Sequence, residues 1–240
     1  MHAVIIAAGL GNRLGRLTKD RPKALVPVAG RELILRTLDA VDHPVFTRRT
    51  VVTGYQGDML RRFIENTCDD VEVVHNPNFE DGSIRTVETV LPLIDGDFLL
   101  LNVDHIYPRR LISHVVAGVN ELTAVCDFDR KLGPDDMKVK LDETGRVIAI
   151  KKTLTDYTGG YIGMTHVPSA SLPPYKRAVF AARARQGDAA AAEAALASLA
   201  EAEFPINVCD ASGIGWLEVD TPVDLAHAEA VLNDNQEFLR

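Results

Sequence analysis

The sequence opens with a short apolar run, residues 3–8, that leads directly into a turn rich in glycine. An apolar run of this length indicates a buried strand, and Gly9, Gly11 and Gly15 interrupt any continuation of it. Five basic side chains and one acid follow: Arg13, Arg16, Lys19, Asp20, Arg21 and Lys23. Backbone N–H groups in such a turn and fixed positive charges both attract anionic oxygens. The segment therefore predicts that the chain binds a nucleotide triphosphate directly after its first strand.

The spacing of the glycines excludes two common kinds of nucleotide site. A dinucleotide-binding turn has the pattern G-x-G-x-x-G and an acid at the end of the next strand, and this chain has neither. A P-loop requires Gly-Lys-Ser/Thr at the start of a helix, whereas the first lysine after this turn is Lys19. The chain is therefore predicted to be neither a Rossmann dehydrogenase nor a P-loop protein.

Apolar runs of strand length alternate with helical patterns along the first half of the chain. The predicted strands lie near 4–7, 50–53, 71–74, 98–103 and 123–126, and the predicted helices near 33–41, 59–66, 84–91 and 110–119. This alternation is typical of a parallel sheet with helices on both faces and ligands at the carboxyl ends of its strands. Residues 137–141 and 147–151 alternate around a turn and predict an antiparallel hairpin. We therefore expect an α/β fold, a Rossmann-like α/β/α sandwich with a mostly parallel, mixed central sheet and a small hairpin addition.

The last third of the chain carries two further patterns. Residues 181–202 are rich in alanine and predict one or two helices, broken near Gly187, that either cover the sheet or form a lid or an oligomer contact. Residues 214–219 predict a last strand. Residues 223–232 predict a last helix, which Thr221 or Asp220 would cap.

Length and composition limit the class of protein. At 240 residues, 46% of them hydrophobic, the chain has room for one well-packed core. We expect a single domain, residues 1–240, with a nucleotide-binding half at 1–126 and an acceptor-binding half at 127–240. The formal net charge of −8 argues against nucleic-acid binding, and three widely spaced cysteines predict neither a disulfide framework nor a zinc site. Because no leader or membrane segment is recognisable, we expect a cytoplasmic monomer or homodimer without membrane insertion.

Two aspartates close apolar runs at the sheet edge where phosphates are expected. Asp104 ends the run 98–104, and Asp220 ends the run 216–220. Mg²⁺ prefers a few carboxylate oxygens together with phosphate oxygens and water, so two aspartates from different strands meet its needs. We predict a magnesium site on this pair; the alternatives are a turn residue for Asp104 and a helix cap for Asp220.

Other polar residues near these strand ends are interpreted more conservatively. His105 follows Asp104 directly, and a structural role is favoured over contact with a metal or acceptor. Asp127 and Asp129 come after a predicted strand and are interpreted as a solvated loop. Lys23 is expected to be an exposed side chain that contributes little to stability.

The first thirty residues resemble the signature of the sugar-phosphate nucleotidyltransferase superfamily. The matching positions occur in the family's order: Ala7, Ala8, Gly9, Gly11, Arg13, Leu14, Thr18, Pro22, Lys23, Pro27 and Gly30. Residues 98–108 and 214–225 resemble the stretches in which the family carries its metal-binding aspartates. The resemblance implies a GT-A-like fold and an Mg²⁺-dependent enzyme that joins a nucleoside monophosphate unit to a phosphorylated acceptor and releases pyrophosphate.

The chemistry of this reaction assigns roles to residues of the nucleotide half, because joining two anions requires cations and positioned N–H groups. Arg13 and Lys23 would act as catalytic cations on the triphosphate. The turn would provide the nucleotide contacts: Ala7, Ala8, Gly9, Leu10, Gly11 and Asn12. Residues 75–78 and 82–86 resemble segments that small cytidylyltransferases for phosphocholine and inositol 1-phosphate place beside the base. Gly82 and Ser83 are assigned to nucleotide binding on that ground.

In the acceptor half, residues 145–152 and 158–161 resemble the inositol-phosphate branch, in which a lysine faces the acceptor phosphate. Lys152 is the candidate for that role. Strand alternation gives its neighbour Lys151 the opposite face, so only one of the two can point into the site.

We therefore expect a nucleotidyltransferase that uses CTP and a phosphorylated small molecule, inositol 1-phosphate or a phosphocholine-like alcohol. A phosphomonoester has a second pKa of about 6, so the acceptor oxygen is already a nucleophile at neutral pH and needs no general base. The nearest alternative is a uridylyl-, thymidylyl- or guanylyltransferase for a hexose 1-phosphate. An alternative of another class is a catalytically silent subunit that senses nucleotides.

Overall fold

The computed structural model describes residues 1–235 and 237–239. The strands, in chain order, are β1 (His2–Ala7), β2 (Pro27–Val28), β3 (Arg31–Glu32), β4 (Arg48–Thr53), β5 (Val71–His75), β6 (Phe98–Asn102), β7 (His105–Ile106), β8 (Thr123–Asp127), β9 (Lys138–Leu141), β10 (Val147–Lys151), β11 (Gly159–Val167), β12 (Asn207–Asp210) and β13 (Leu217–Glu218). The helices are α1 (Leu33–Ala40), α2 (Gly57–Thr67), α3 (Ser83–Val90), α4 (Arg109–Gly118), α5 (Leu172–Gln186), α6 (Ala194–Glu201) and α7 (Pro222–Asp234). Short 3₁₀ segments lie at Asn12–Thr18, Lys23–Leu25, Leu91–Leu93 and Ser169–Ser171.

One mixed sheet forms the centre of the fold. Its strands follow the order β10-β9-β11-β6-β1-β4-β5, and β8 pairs with both β11 and β12. The strands β6, β1, β4 and β5 are parallel to their neighbours in this group. β11 runs antiparallel to β6, β8 and β9, and β9 and β10 form the predicted antiparallel hairpin. The carboxyl ends of the parallel strands therefore share one edge of the sheet.

Helices cover both faces of this sheet, as the alternation of strands and helices predicts. On β1, Ala3 and Ile5 belong to the core shared with α1, α2 and α4, whereas Val4 belongs to the core shared with α3, α5 and α6. Successive side chains of a strand point to opposite faces, so a strand buried on both sides reads as an unbroken apolar run. The predicted α/β/α fold class is confirmed.

The final strand is shorter than the predicted run 214–219 and lies in a small separate ladder. β13 pairs with β7 in antiparallel register, with Glu218 opposite His105 and the amide of Val219 donating to the carbonyl of Asp104 at 2.9 Å. The following helix α7 begins as predicted, with Thr221 and Asp224 forming a capping box around Pro222. This ladder brings the chain after β6 beside the chain that precedes α7.

The alanine-rich stretch forms parts of two helices, and the break at Gly187 is confirmed by its left-handed φ of 81°. Helix α5 begins nine residues before the predicted start at residue 181, since Pro173 and Pro174 lie in its first turn, where proline is tolerated. None of the helices within the described ranges is both long enough and apolar enough to cross a bilayer.

The segment between α5 and α6, residues 187–193, lies across the start of α3. The amide of Gly82 donates to the carbonyl of Asp188 at 2.7 Å, and that of Ile84 donates to the carbonyl of Ala190 at 3.1 Å. The amide of Ala192 donates to Ser83 Oγ at 2.8 Å. A Cβ atom at Gly82 would lie 2.0 Å from the Ala190 carbonyl oxygen, so this close approach requires glycine.

We predict that Gly82→Ala lowers the free energy of unfolding by about 1–3 kcal/mol, because the added methyl group forces the crossing segment away. Gly96→Ala is the control, since a Cβ there would meet no atom within 4 Å. Its stability should stay the same or rise slightly, because alanine reduces the entropy of the unfolded chain. Urea unfolding followed by circular dichroism measures both, and equal stabilities would show that the crossing segment does not depend on Gly82.

Candidate active site

The turn after β1 lies at the carboxyl edge of the parallel strands. Gly11 has a left-handed φ of 66°, and a Cβ there would lie 2.9 Å from the Cβ atom of Lys23. Thr18 Oγ donates to the Gly11 carbonyl at 3.0 Å and closes the turn. Glycine at this position therefore allows Lys23 to pack directly against the turn.

Lys23 lies at the centre of a group of charges. Its ammonium donates to Asp104 Oδ2 at 2.9 Å and also to Asp220, whose other carboxylate oxygen accepts a hydrogen bond from Arg13. Asp104 comes two residues after β6, and Asp220 comes two residues after β13. The β7–β13 ladder holds the two chain segments together. The structure therefore brings together the two predicted metal-binding aspartates and both predicted triphosphate-binding cations. We call Arg13, Lys23, Asp104 and Asp220 the charge group.

The prediction that Lys23 is exposed is wrong. Only 8% of the residue is accessible to solvent, because the turn at Gly11 and the two carboxylates enclose it. A buried ammonium is stable only when paired charges replace its water. Lys23 is therefore part of the fold as well as of the site.

The charges of this group are fixed by their neighbours. Burial raises the pKa of the Asp104 carboxyl, but Lys23 and His105 outweigh burial and hold that pKa below its usual range. Burial lowers the pKa of the Lys23 ammonium, but Asp104 and Asp220 outweigh it and the net shift is upward. Both groups are therefore charged at neutral pH.

The carboxylate pair suits a hard divalent cation. Two carboxylates that follow separate strands converge on one positive charge, the Lys23 ammonium. Over residues 1–235 and 237–239 there is no group of three or more histidine, cysteine or acidic side chains able to hold a metal. An ion bound to this pair would have to complete its shell with phosphate oxygens and water, as hard cations commonly do.

The cleft around these charges has two lobes, each with a volume of about 200 Å³. Four residues line both: Ser83, Asn102, Asp104 and Glu193. We call the first the nucleotide lobe, after the predicted nucleotide and triphosphate contacts that line it: Ala7, Ala8, Gly9 and Lys23. We call the second the acceptor lobe, after the predicted acceptor contact Lys152; Arg13, Trp216 and Asp220 also line it. The charge group therefore lies where the two lobes meet.

Of the remaining predicted nucleotide contacts, only Ser83 lines the cleft. Leu10, Gly11 and Asn12 continue the turn without lining either lobe. Ser83 lines both lobes, whereas the Gly82 amide is already bonded to the carbonyl of Asp188. In this structure the Gly82 N–H is engaged within the protein rather than directed at the cleft.

The two neighbouring lysines at the end of the hairpin, Lys151 and Lys152, differ in whether they reach the cleft. Lys152 lines the acceptor lobe and also an outer groove between the hairpin and α6, whereas Lys151 lines that groove and neither lobe. The backbone at Lys152 is held by Lys138, a buried lysine that sequence reasoning missed. Its ammonium donates to the carbonyls of Lys152, Gly133 and Asp136 at 2.9, 2.8 and 3.2 Å, which uses all three of its protons.

Sequence reasoning also missed Asn102 and Glu193. Asn102 lies two residues before Asp104, and side chains two residues apart in an extended segment point to the same side. This spacing from a predicted site residue is the signal that could have identified Asn102. Glu193 precedes α6 and lines both lobes, and burial raises the pKa of its carboxyl. It lies in an alanine-rich stretch whose pattern gives no sign of a site.

The interpretation of Asp127 as a solvated loop residue is wrong. Asp127 is 5% exposed, and its Oδ2 accepts a hydrogen bond from Trp216 Nε1 at 2.8 Å. Its Oδ1 accepts the backbone amides of Asp129 and Arg130 at 3.0 and 3.2 Å. His105 has the structural contact favoured above, since its Nδ1 lies 2.6 Å from Asp104 Oδ1.

The chain is similar to several known proteins. A protein of Thermococcus kodakarensis named "Bifunctional IPC transferase and DIPP synthase" is 29% identical over 240 residues, which cover 96% of this chain and 50% of the relative. The chain spans about half the length of the curated relatives of this kind that it matches.

Two solved structures share the fold at 19% identity. The inositol-1-phosphate CTP transferase from T. maritima has a TM-score of 0.80, covering 98% of this chain and 96% of the other. The CTP:phosphocholine cytidylyltransferase from Streptococcus pneumoniae has a TM-score of 0.76, covering 96% and 98%. Residues 3–150 match the family described as the MobA-like NTP transferase domain, which is more than half of the chain. The resemblance drawn from the sequence is confirmed, and the chain belongs to the MobA-like NTP transferase domain family.

Proposed function

We propose that this chain is an Mg²⁺-dependent cytidylyltransferase that joins the CMP unit of CTP to a phosphorylated polyol, with inositol 1-phosphate as the favoured acceptor, and releases pyrophosphate. One observation carries the proposal: the charge group of Arg13, Lys23, Asp104 and Asp220 lies between two lobes, and Lys152 lines the second. A reaction that unites two anions needs cations at their meeting point. The names of the T. kodakarensis and T. maritima relatives support the same acceptor class.

The triphosphate would be held by Arg13 and Lys23. An ammonium has three protons, and Lys23 gives two of them to Asp104 and Asp220. The third can bind a phosphate oxygen without breaking either contact. The Arg13 side chain is about half exposed, so it can turn toward the departing pyrophosphate. Asp104 and Asp220 would hold magnesium, which when bound supplies positive charge beside the α-phosphoryl group.

Lys152 would orient the acceptor phosphate toward the α-phosphorus. A phosphate oxygen attacks, the bond between the α-phosphorus and the bridging oxygen breaks, and pyrophosphate leaves with the electron pair. The acceptor is mostly dianionic at neutral pH, because its second pKa is about 6, so no side chain has to remove a proton. The chain's work is to bring the two anions together and to stabilise charge.

The acceptor lobe favours hydroxyl groups over a quaternary ammonium group. An ammonium cage needs open aromatic faces. Three rings line this lobe, those of His105, Tyr161 and Trp216. The Trp216 ring is covered by the Arg130 guanidinium at 4.3 Å and by the stacked His105 ring at 5.1 Å. Tyr161 is only 9% exposed and its hydroxyl pairs with Thr165. Glu193 and Asn102 in the same lobe can accept hydrogen bonds from a polyol.

The proposed function is tested by measuring pyrophosphate release with each of four nucleotides, CTP, UTP, dTTP and GTP, against three acceptors. We expect CTP with inositol 1-phosphate to give the highest kcat/KM, followed by CTP with phosphocholine, and glucose 1-phosphate last. An unpaired buried polar group costs about 1–3 kcal/mol, which predicts a preference of about 5- to 150-fold for the right base. A preference for a hexose 1-phosphate with another nucleotide contradicts the acceptor and base assignments. No release with any pair favours a nucleotide-sensing subunit.

We predict that Lys152→Ala raises the KM for the acceptor about tenfold or more, since a charge-assisted hydrogen bond to phosphate is lost. The KM for CTP should change little. Lys151→Ala is the matched control: it removes the same charge one residue away, from a side chain that lines neither lobe of the cleft. Steady-state kinetics with both substrates varied measures the difference, and equal effects of the two variants would remove Lys152 from the acceptor site.

We predict that Lys23→Ala lowers kcat at least 100-fold, because charge on the transferring phosphoryl group is no longer stabilised. Without magnesium it should also lower the free energy of unfolding by about 3 kcal/mol, since the paired carboxylates lose their buried counter-ion. Lys19→Ala, an exposed neighbour on the same turn, is the control for both measurements. A stable Lys23→Ala protein with normal kcat is incompatible with the proposed site.

A further inference from the structure

A column of four stacked groups extends from the surface to the core beside the charge group. The Arg130 guanidinium lies 4.3 Å from the ring centre of Trp216, and the Trp216 and His105 rings are 5.1 Å apart at an interplanar angle of 12°. The His105 and Tyr107 rings follow at 5.6 Å and 19°. Guanidinium-over-ring and offset ring stacks are each favourable contacts.

Hydrogen bonds fix Trp216 and Tyr107, the two rings that stack on His105. Trp216 Nε1 donates to Asp127, whose other oxygen is held by two backbone amides. At the inner end, the hydroxyl of Tyr107, 1% exposed, donates to the carbonyls of Ile162 and Gly163 at 2.9 and 3.2 Å. The His105 ring between Trp216 and Tyr107 therefore has little freedom to rotate.

The column contacts the charge group directly at His105. His105 Nδ1 lies 2.6 Å from Asp104 Oδ1, while Asp104 Oδ2 accepts from Lys23. A carboxylate held at one oxygen presents the other in a fixed direction. Partners that orient a metal-binding carboxylate commonly change metal affinity when they are mutated, although they never touch the ion.

We propose that Trp216 is a positioning residue for metal binding: by clamping the His105 ring, it fixes the Asp104 carboxylate in the direction in which a divalent cation is held. The inference rests on the proposed function, in which Asp104 and Asp220 hold magnesium. Trp216 also lines the acceptor lobe, so the test below leaves the acceptor out. In the positioning role its effect reaches the ion through His105 and Asp104.

The test measures CTP binding by calorimetry, with Mg²⁺ and with EDTA, and without acceptor so that no turnover occurs. The ratio of the two dissociation constants is the magnesium-dependent gain in CTP affinity. In Trp216→Leu we expect the gain to fall about tenfold, the lower end of the range for residues that orient metal ligands. CTP affinity in EDTA should remain within about twofold of wild type, because the column does not line the nucleotide lobe. Loss of fold would change both values.

Two further variants define the cause. Trp216→Phe keeps a ring against His105 and should restore the gain to within about threefold of wild type. Arg130→Ala removes the outer cover without disturbing the core, and should lower the gain about threefold, the value of one cation–π contact. The Arg130 guanidinium also lies 3.8 Å from the Glu218 carboxylate, so Glu218→Gln, which removes this ion pair and leaves the stack, is a second control and should keep the gain. Lys131→Ala, an exposed neighbouring cation, is the control for charge. The Arg130 variant keeps the test valid if Trp216→Leu does not fold.

The outcomes separate this inference from the proposed function. A wild-type protein whose CTP affinity does not respond to magnesium overturns both. A wild-type response that is retained in Trp216→Leu, or in Arg130→Ala where the first variant does not fold, overturns the positioning role alone. A loss of the gain in Trp216→Leu that Trp216→Phe restores supports it.

Discussion

The convergence of two carboxylates on one buried ammonium is the interaction on which the site depends. Two like charges about 4 Å apart repel by about 4 kcal/mol at an effective dielectric constant of 20, so Asp104 and Asp220 cannot lie side by side without a cation. Lys23 supplies that cation, and Gly11 leaves room for its stem. The turn after the first strand therefore has to accommodate the Lys23 side chain as well as the phosphate that it would bind.

The first half of the fold could be predicted from the sequence because its signals are local. Each strand buried on both faces is an unbroken apolar run, and each helix pattern lies between two such runs. The last strand was predicted too long, since only Leu217 and Glu218 find partners on β7. Pairing, rather than propensity, decides where a short strand ends.

The sequence was enough to predict which residues form the site, but not which of them are buried. Asp104 and Asp220 were identified by their positions at strand ends, and their proximity follows from the β7–β13 ladder. Lys23 and Asp127 were both expected to be solvated, yet each is buried by a partner far along the chain. Asp220 is 197 residues from Lys23, and Trp216 is 89 residues from Asp127. No periodicity in a single sequence carries such pairings.

The column beside the charge group has an optical consequence. Trp216 is the single tryptophan among the 240 residues, so essentially all of the protein's indole emission and indole near-ultraviolet dichroism arises at this one position. Its ring is stacked between a guanidinium and an imidazole and is held at its nitrogen by a carboxylate. The intrinsic fluorescence and near-ultraviolet dichroism of the unlabelled protein therefore report on the surroundings of Trp216, in one wall of the cleft.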